Sequence, residues 1–204
     1  MARTNKSKYA ILGMLALGPK SGYDIRQQIE GNVGQFWSES YGQIYPILAR
    51  LVKEGLARRR EGSTGGVRVR HVYSVTPKGR EALESWLREP PEPPVLRHEL
   101  LLKIFFGAQA GPGAMIGHVL RYRDDADSRL RDILAIAHRL DRAPESDPNR
   151  PYWRLMVRSG ELLMRMRLRW CDEALAELRR LEGGDAPEGT LPARRRRTGK
   201  RGPR

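Results

Sequence analysis

A single cysteine, Cys171, in 204 residues leaves no disulfide framework and no cysteine-based zinc site, and it makes a reducing cytoplasm the expected compartment. The four histidines, His71, His98, His118 and His138, share no metal-ligand spacing. Long apolar runs are also missing. The best stretch outside the N-terminus, residues 100–106, is short and contains Lys103, against the roughly 20 residues needed to span a bilayer. The N-terminal segment has a basic start and an apolar run, but it lacks a small-residue cleavage site and is interrupted by Gly13 and Gly18, so no signal peptide is expected. Gly62, Gly65 and Gly66 are not followed by Lys-Ser/Thr, which rules out a phosphate-binding loop and suits a hairpin turn. No nucleophile–base pair or paired carboxylate stands out, so no catalytic residue, cofactor or metal is expected.

Acidic residues are scarce as well: 24 against 38 lysines and arginines, net +14. The surplus is uneven. Residues 1–88 hold 15 basic and 7 acidic groups, residues 89–188 hold 16 and 17, and residues 189–204 hold 7 and none. A basic first half and a basic tail around a neutral middle are the charge footprint of a nucleic-acid-binding protein.

Residues 40–56, SYGQIYPILARLVKEGL, are the most telling stretch. Ile44, Ile47, Leu48, Leu51 and Val52 repeat at the spacing of one apolar helix face. The opposite face carries Gly42, Pro46, Ala49 and Lys53, flanked by Gln43, Tyr45 and Arg50. Small residues, hydrogen-bonding groups and cations let a helix backbone approach a polyanion, as a helix in a DNA major groove must. Ser40 is the expected cap and Gly55 the expected stop. Pro46 has no N–H, which implies a helix beginning as late as Gln43 or an irregular first turn.

The neighbours complete a pattern. Residues 9–17 predict a helix with Tyr9, Ile11, Leu12, Leu15 and Ala16 as its apolar positions. Ser21 and Asp24 form a capping box opening a second helix to about Glu30, stopped by Gly31 and Gly34. After Arg58, Arg59 and Arg60, readable as a charged edge strand, residues 67–75 alternate: Val67, Val69, His71, Tyr73 and Val75 on one face, Arg68, Arg70 and Ser74 on the other. Thr76-Pro77 caps a helix through about Arg88. Three helices followed by a basic hairpin spell a winged helix-turn-helix.

The strings YAILGMLALGPKSGYDI, FWSESYGQIYPILARLVKEGLARR and VYSVTPKGREALESWL resemble the DNA-binding domain of PadR-type transcriptional regulators, from about Tyr9 to Leu87. GQIYP followed by L-x-R-L-x-x-x-G-L is the most specific part. The resemblance implies a bacterial or archaeal repressor that binds double-stranded operator DNA as a dimer and is released by a phenolic or drug-like effector.

Pro90, Pro91, Pro93 and Pro94 mark a stiff linker. Beyond it, residues 97–108 predict a helix with Leu100, Leu101, Ile104 and Phe105 on its apolar face. Pro112 opens a longer helix striped by Met115, Val119, Tyr122, Ala126, Leu130, Ile133, Ala137 and Leu140. Pro151 opens a third, in which Tyr152, Met156, Ser159, Leu163, Met166 and Trp170 follow a heptad seam. Two such helices make a weak core alone, so the seam is expected to meet a second copy, as the longer PadR subfamily implies.

The expected organisation is therefore mainly α: a winged helix-turn-helix domain with a two-stranded β-wing (1–89), a linker (90–96), a helical dimerisation domain (97–184) and a disordered basic tail (185–204). DNA contacts are expected from Tyr23, Ser40, Gly42, Gln43, Tyr45, Pro46, Arg50, Lys53, Arg68 and Arg70. Dimer contacts are expected from Tyr152, Met156, Leu163, Met166 and Trp170. Met166 and Trp170 also stand as candidates for an effector pocket, with plain helix packing the competing reading. The rival function is a nonspecific basic nucleic-acid-binding protein. No membrane partner is expected.

Overall fold

The computed structural model describes residues 6–33, 41–62, 70–94, 97–142 and 144–184, in two compact units that divide at residues 96/97. The first unit packs four helices and a hairpin around one core. Helix α1, Lys6–Ala16, buries Ile11, Leu12 and Leu15. Helix α2, Gly22–Gln28, opens on the expected capping box: the Ser21 hydroxyl accepts from the Asp24 amide at 3.2 Å and the Ser21 amide donates to the Asp24 carboxylate at 2.9 Å. Of the two expected stops, Gly31 does not end the helical path, and Gly34 lies outside the described residues. The chain runs into a π-helical turn, Ile29–Val33, that contains Gly31, and Ile29 lies in the core. Burial of that one side chain outweighs the weak helix preference of a glycine two residues later.

Helix α3, Tyr41–Lys53, buries Ile44, Ile47, Leu48 and Leu51. It starts at Tyr41, the residue after the expected cap Ser40, and holds Pro46 in its interior, so the later of the expected starts, Gln43, is not the one adopted. The residue that would donate to the Gly42 carbonyl in this helix is Pro46, which has no N–H, so that carbonyl lacks its usual helical partner. The far end closes in a Schellman motif. The Leu56 amide donates to Leu51 O at 2.9 Å, the Gly55 amide to Val52 O at 3.0 Å, and Gly55 sits at φ +73°, a conformation that favours glycine.

Strands β1, Ala57–Gly62, and β2, Arg70–Val75, pair antiparallel from Ala57 opposite Val75 to Gly62 opposite Arg70. Tyr73 is the buried residue of the predicted face, with His71 and Val75 half-buried beside it. Lys20 adds a bridge on the other edge of β2, exchanging backbone bonds with Tyr73 at 2.9 and 2.8 Å. Helix α4, Pro77–Arg88, starts where expected. Buried Thr76 accepts from the Gly79 amide at 3.0 Å and donates to Gly55 O at 2.7 Å, tying the end of α3 to the start of α4. Gly79 permits the approach, since a Cβ there would stand 2.1 Å from Leu56 O. Trp86 of α4 stacks on Tyr9 of α1 with ring centroids 4.7 Å apart.

The second unit is built on a helical hairpin. Helix α5, Glu99–Phe105, is shorter than the expected 97–108 and gives way to a 3-10 turn at Gly107–Gln109. It buries no residue fully: Ile104 packs half-buried against Val119 and Cys171, while Phe105 is 80% exposed. Helices α6, Pro112–Asp141, and α7, Arg150–Glu182, pack antiparallel. Ala126, Leu130 and Ile133 meet Val157 and Met164, while Val119 meets Cys171 and Leu175. Buried Arg150 closes the turn by donating to Leu140 O at 3.1 Å and Asp141 O at 3.2 Å, carbonyls left open at the end of α6.

The residues of the expected seam of α7 do not all sit alike. The face packed on α6 is Val157, Met164, Cys171 and Leu175. Met156 packs against the Ala126–Met164 cluster and Trp170 against the Val119–Cys171 cluster, so both have partners within the chain. Tyr152, Leu163 and Met166 stand outside both clusters, 71%, 42% and 58% exposed. Helix α7 thus has two apolar faces, and heptad spacing alone does not say which one its own chain covers.

Candidate nucleic-acid interface

Burying Ile44, Ile47, Leu48 and Leu51 turns the other side of α3 outward, and Gly42, Gln43, Tyr45, Pro46, Ala49, Arg50 and Lys53 are all exposed. A Cβ added at Gly42 would meet nothing within 4 Å, so the backbone there is open to an external surface. Tyr45 leans toward α2: a Cβ on Gly22 would stand 2.8 Å from its ring. A side chain at Gly22 would push the exposed Tyr45 ring aside, so the glycine lets the ring rest against α2. Next to it, Tyr23 is exposed and its hydroxyl accepts from Gln27 Nε2 at 2.9 Å. Tyr23, Gln27, Tyr45 and the start of α3 form one hydrogen-bonding surface. Gln27 was missed from sequence, although its spacing of four from Tyr23 on a helix was visible.

At the other end of α3, Arg50 Nε donates to Glu54 Oε1 at 2.7 Å, and Lys8 Nζ of α1 reaches Glu54 Oε2 at 2.6 Å. Hydrogen bonds from Lys8 and then Arg50 hold the Glu54 carboxyl below its ordinary 4.5. Glu54 also went unnoticed in the sequence, because its partner Lys8 lies 46 positions away.

Among the described residues, Lys53, Arg58, Arg59, Arg60 and Lys78 have no carboxylate partner. All are exposed, and the last four line an open cleft of about 660 Å³ between the end of α3, β1 and the start of α4. The second unit behaves differently. Arg123, Arg129, Arg131, Arg150, Arg154, Arg158, Arg165, Arg169 and Arg180 each pair with an acid. The difference is one of grouping: Arg97, Arg121, Arg142, Arg167 and Arg179 of the second unit also have no acid partner among the described residues, but in the first unit Arg58, Arg59, Arg60 and Lys78 gather at one cleft, where they can neutralise phosphates together. Ser40 and Arg68, and the side chain of Arg70 at the start of β2, lie outside the described residues.

The two effector candidates do not sit alike. Met166 is on the open side of α7, while the Trp170 ring meets Tyr122 edge-on at 6.1 Å. Tyr122 Oη lies 3.0 Å from His98 Nε2, and the Arg167 guanidinium stands 5.5 Å from the Tyr122 ring centre. His98 Nδ1 accepts from the Leu101 amide, so Nε2 carries the proton and donates to Tyr122. Burial pushes the Tyr122 hydroxyl above its ordinary value of 10. Among the described residues no cluster of metal-binding side chains occurs, and no helix is long and apolar enough to cross a membrane.

Comparison with known proteins fits this division. Residues 11–85 match the transcriptional regulator PadR-like family and residues 96–179 the virulence activator alpha C-terminal family. The negative transcriptional regulator PadR of Bacillus subtilis is 41% identical over 100 residues, 48% of this chain and 55% of its own. A probable transcriptional regulator of Mycobacterium tuberculosis is 29% identical over 42% of this chain and 45% of its own. The chain thus spans about half the length of the curated relatives it matches in sequence. In structure, B. subtilis PadR in complex with operator DNA superposes with a TM-score of 0.75 at 28% identity, over 85% of this chain and 99% of that one. The same protein in complex with p-coumaric acid scores 0.68 at 28% identity, over 84% and 98%. The Vibrio cholerae virulence activator AphA scores 0.65 at 26% identity, over 84% and 97%.

Proposed function

We propose that this chain, whose residues 11–85 match the PadR-like family of transcriptional regulators, is a cytoplasmic, homodimeric repressor that binds operator DNA sequence-specifically and is released by a small aromatic effector. The observation that carries the reading is the outward side of α3: an open glycine, two hydrogen-bonding side chains and two cations on a helix whose other side is buried. Gly42, Gln43, Tyr45, Pro46, Arg50 and Lys53 meet the major groove, Tyr23 supports them from α2, and Ser40 belongs to the same helix start. Arg68 and Arg70 of the wing contact phosphate. The relative solved on operator DNA supports the assignment.

The dimer rests on the uncovered face of α7. Its apolar residues are arranged symmetrically about Ser159: Leu155 and Leu163 four positions away, Tyr152 and Met166 seven. A two-fold axis through Ser159 would bring each residue of a pair onto the other in an antiparallel copy, with a small side chain at the crossing. Leu101, Leu102, Phe105 and Phe106, all exposed, add apolar surface that a lone chain leaves wet. Met156 and Trp170 contribute from the margin of that face. For the effector, support comes from the relative solved with p-coumaric acid and from the aromatic contacts of Trp170.

The test is selection of duplexes from a randomised pool by the full-length chain, with sedimentation of the free protein. An inverted repeat bound at least about 10³-fold more tightly than a shuffled duplex, by a dimer, is the expected result. A ratio near one would favour nonspecific nucleic-acid binding instead. Added p-coumaric acid, or a related phenolic acid, should lower the affinity for the selected duplex.

A further inference from the structure

Glu54 stands immediately after Lys53, the last residue of α3, where a negative charge opposes the helix dipole. The dipole taken alone would favour a neutral side chain. This carboxylate is instead gripped on both oxygens, by Lys8 of α1 at 2.6 Å and by Arg50 at 2.7 Å, while Lys78 of α4 donates to the Glu54 backbone carbonyl at 3.1 Å. Three helices therefore fix its position. Arg50 gives it only Nε. Among the described residues both terminal NH₂ groups of Arg50 have no partner, and its side chain is 57% exposed. A guanine edge accepts two parallel N–H groups of an arginine held in one orientation. A freely rotating arginine would meet phosphates from many directions instead.

We propose that Glu54 is a positioning residue for sequence recognition: braced by Lys8, it holds Arg50 in the one orientation that presents both terminal nitrogens to a base. This rests on the reading of α3 as the DNA-contacting helix. The carboxylate also repels phosphate, so it raises specificity while lowering affinity for arbitrary DNA. The depressed pKa of Glu54 keeps it charged throughout the neutral range.

Four full-length proteins test this: wild type, Glu54→Gln, Arg50→Ala and the double variant. Each is titrated by fluorescence anisotropy against the duplex that wild type selects from a randomised pool and against a shuffled duplex of the same composition. Arg50→Ala should lower the ratio of the two affinities. Glu54→Gln should lower it about fivefold or more while the shuffled duplex binds as well as before or better. In the Arg50→Ala background, Glu54→Gln should change the ratio by less than about twofold, because the pair acts as one unit. Equal effects in both backgrounds would mean that Glu54 only braces the fold, and would overturn the proposal. A wild-type ratio for Glu54→Gln beside a lowered one for Arg50→Ala overturns it too, and leaves the DNA reading standing. A wild-type ratio for Arg50→Ala removes Arg50 from the interface and the proposal with it. Should Glu54→Gln fold poorly by circular dichroism, Glu54→Asp keeps the charge on a side chain one methylene shorter, and the same loss of ratio is expected.

Discussion

Gly42 is the residue at which the DNA reading is most exposed to test. It lies near the start of α3 with open space around it, so Gly42→Glu adds bulk and negative charge toward phosphates while the packed face of Ile44, Leu48 and Leu51 is untouched. The variant is expected to keep the wild-type circular dichroism spectrum and melting curve and to lose binding to the selected duplex. Wild-type binding would refute the assignment of α3. Glu54 supports a second residue-scale prediction. Its folded pKa lies below the ordinary 4.5, so its ion pairs add stability that is present above about pH 4.5 and is lost as the pH falls through the lower, folded value. The gap in melting temperature between wild type and Glu54→Gln should therefore be widest near neutrality and shrink in acid. A gap that is constant with pH would show that the carboxylate's charge is not what matters.

At the scale of elements, α7 decides the assembly. Leu163 lies on the face that the chain leaves uncovered, while Met164, the next residue, is buried against α6. Leu163→Glu should split the dimer in sedimentation with little change in helix content. Met164→Ala should instead lower the thermal stability by about 2–5 kcal/mol, as deletion of a buried side chain does, and leave the dimer assembled. If both variants behave alike, the two faces are not separate in function. The turn into α7 has a comparable division of labour. Buried Arg150 serves two carbonyls through different nitrogens of one planar group, a pattern that the single ammonium of lysine does not reproduce. Neither role is suggested by the residues alone, since arginines are common all along this helix.

For the whole molecule the charge distribution is the main quantity. Ion pairs hold most arginines of the second unit, whereas in the first Lys53, Arg58, Arg59, Arg60 and Lys78 have no carboxylate partner among the described residues, and the last four gather at one cleft. The seven basic residues of 189–204 lie outside the described residues, as does the expectation that 185–204 is disordered. Deleting 190–204 should flatten the plot of log affinity against log salt by about 0.9 for each phosphate that the tail had neutralised. It should weaken selected and shuffled duplexes by similar factors, and a collapsed ratio would mean that the tail reads sequence. Removing everything after Glu89 should leave a folded, mostly monomeric first unit, because that unit has its own core from Ile11 to Tyr73. Affinity for an inverted repeat should fall by about 10²–10⁴-fold once the second reading head is untethered. A truncated protein that still sediments as a dimer would move the interface into the first unit.

Features governed by neighbours within a few residues were legible in the chain itself. The capping box at Ser21, the cap and proline at Thr76-Pro77, the glycine stop at Gly55 and the buried face of α3 follow from local hydrogen bonding and helix period, and they determine a winged helix-turn-helix with a helical second unit. What depended on distant partners was not. The π-turn past Gly31 exists because Ile29 finds the core, and α3 keeps Pro46 in its interior because Ile44, Ile47 and Leu48 on its other side are buried. Which apolar face of α7 meets α6 depends on the shape of α6, and the grip of Lys8 and Arg50 on Glu54 depends on α1 packing beside α3. A periodic pattern states that a face will be buried. Only the packed structure, where side chains far apart in sequence compete for the same space, decides against what.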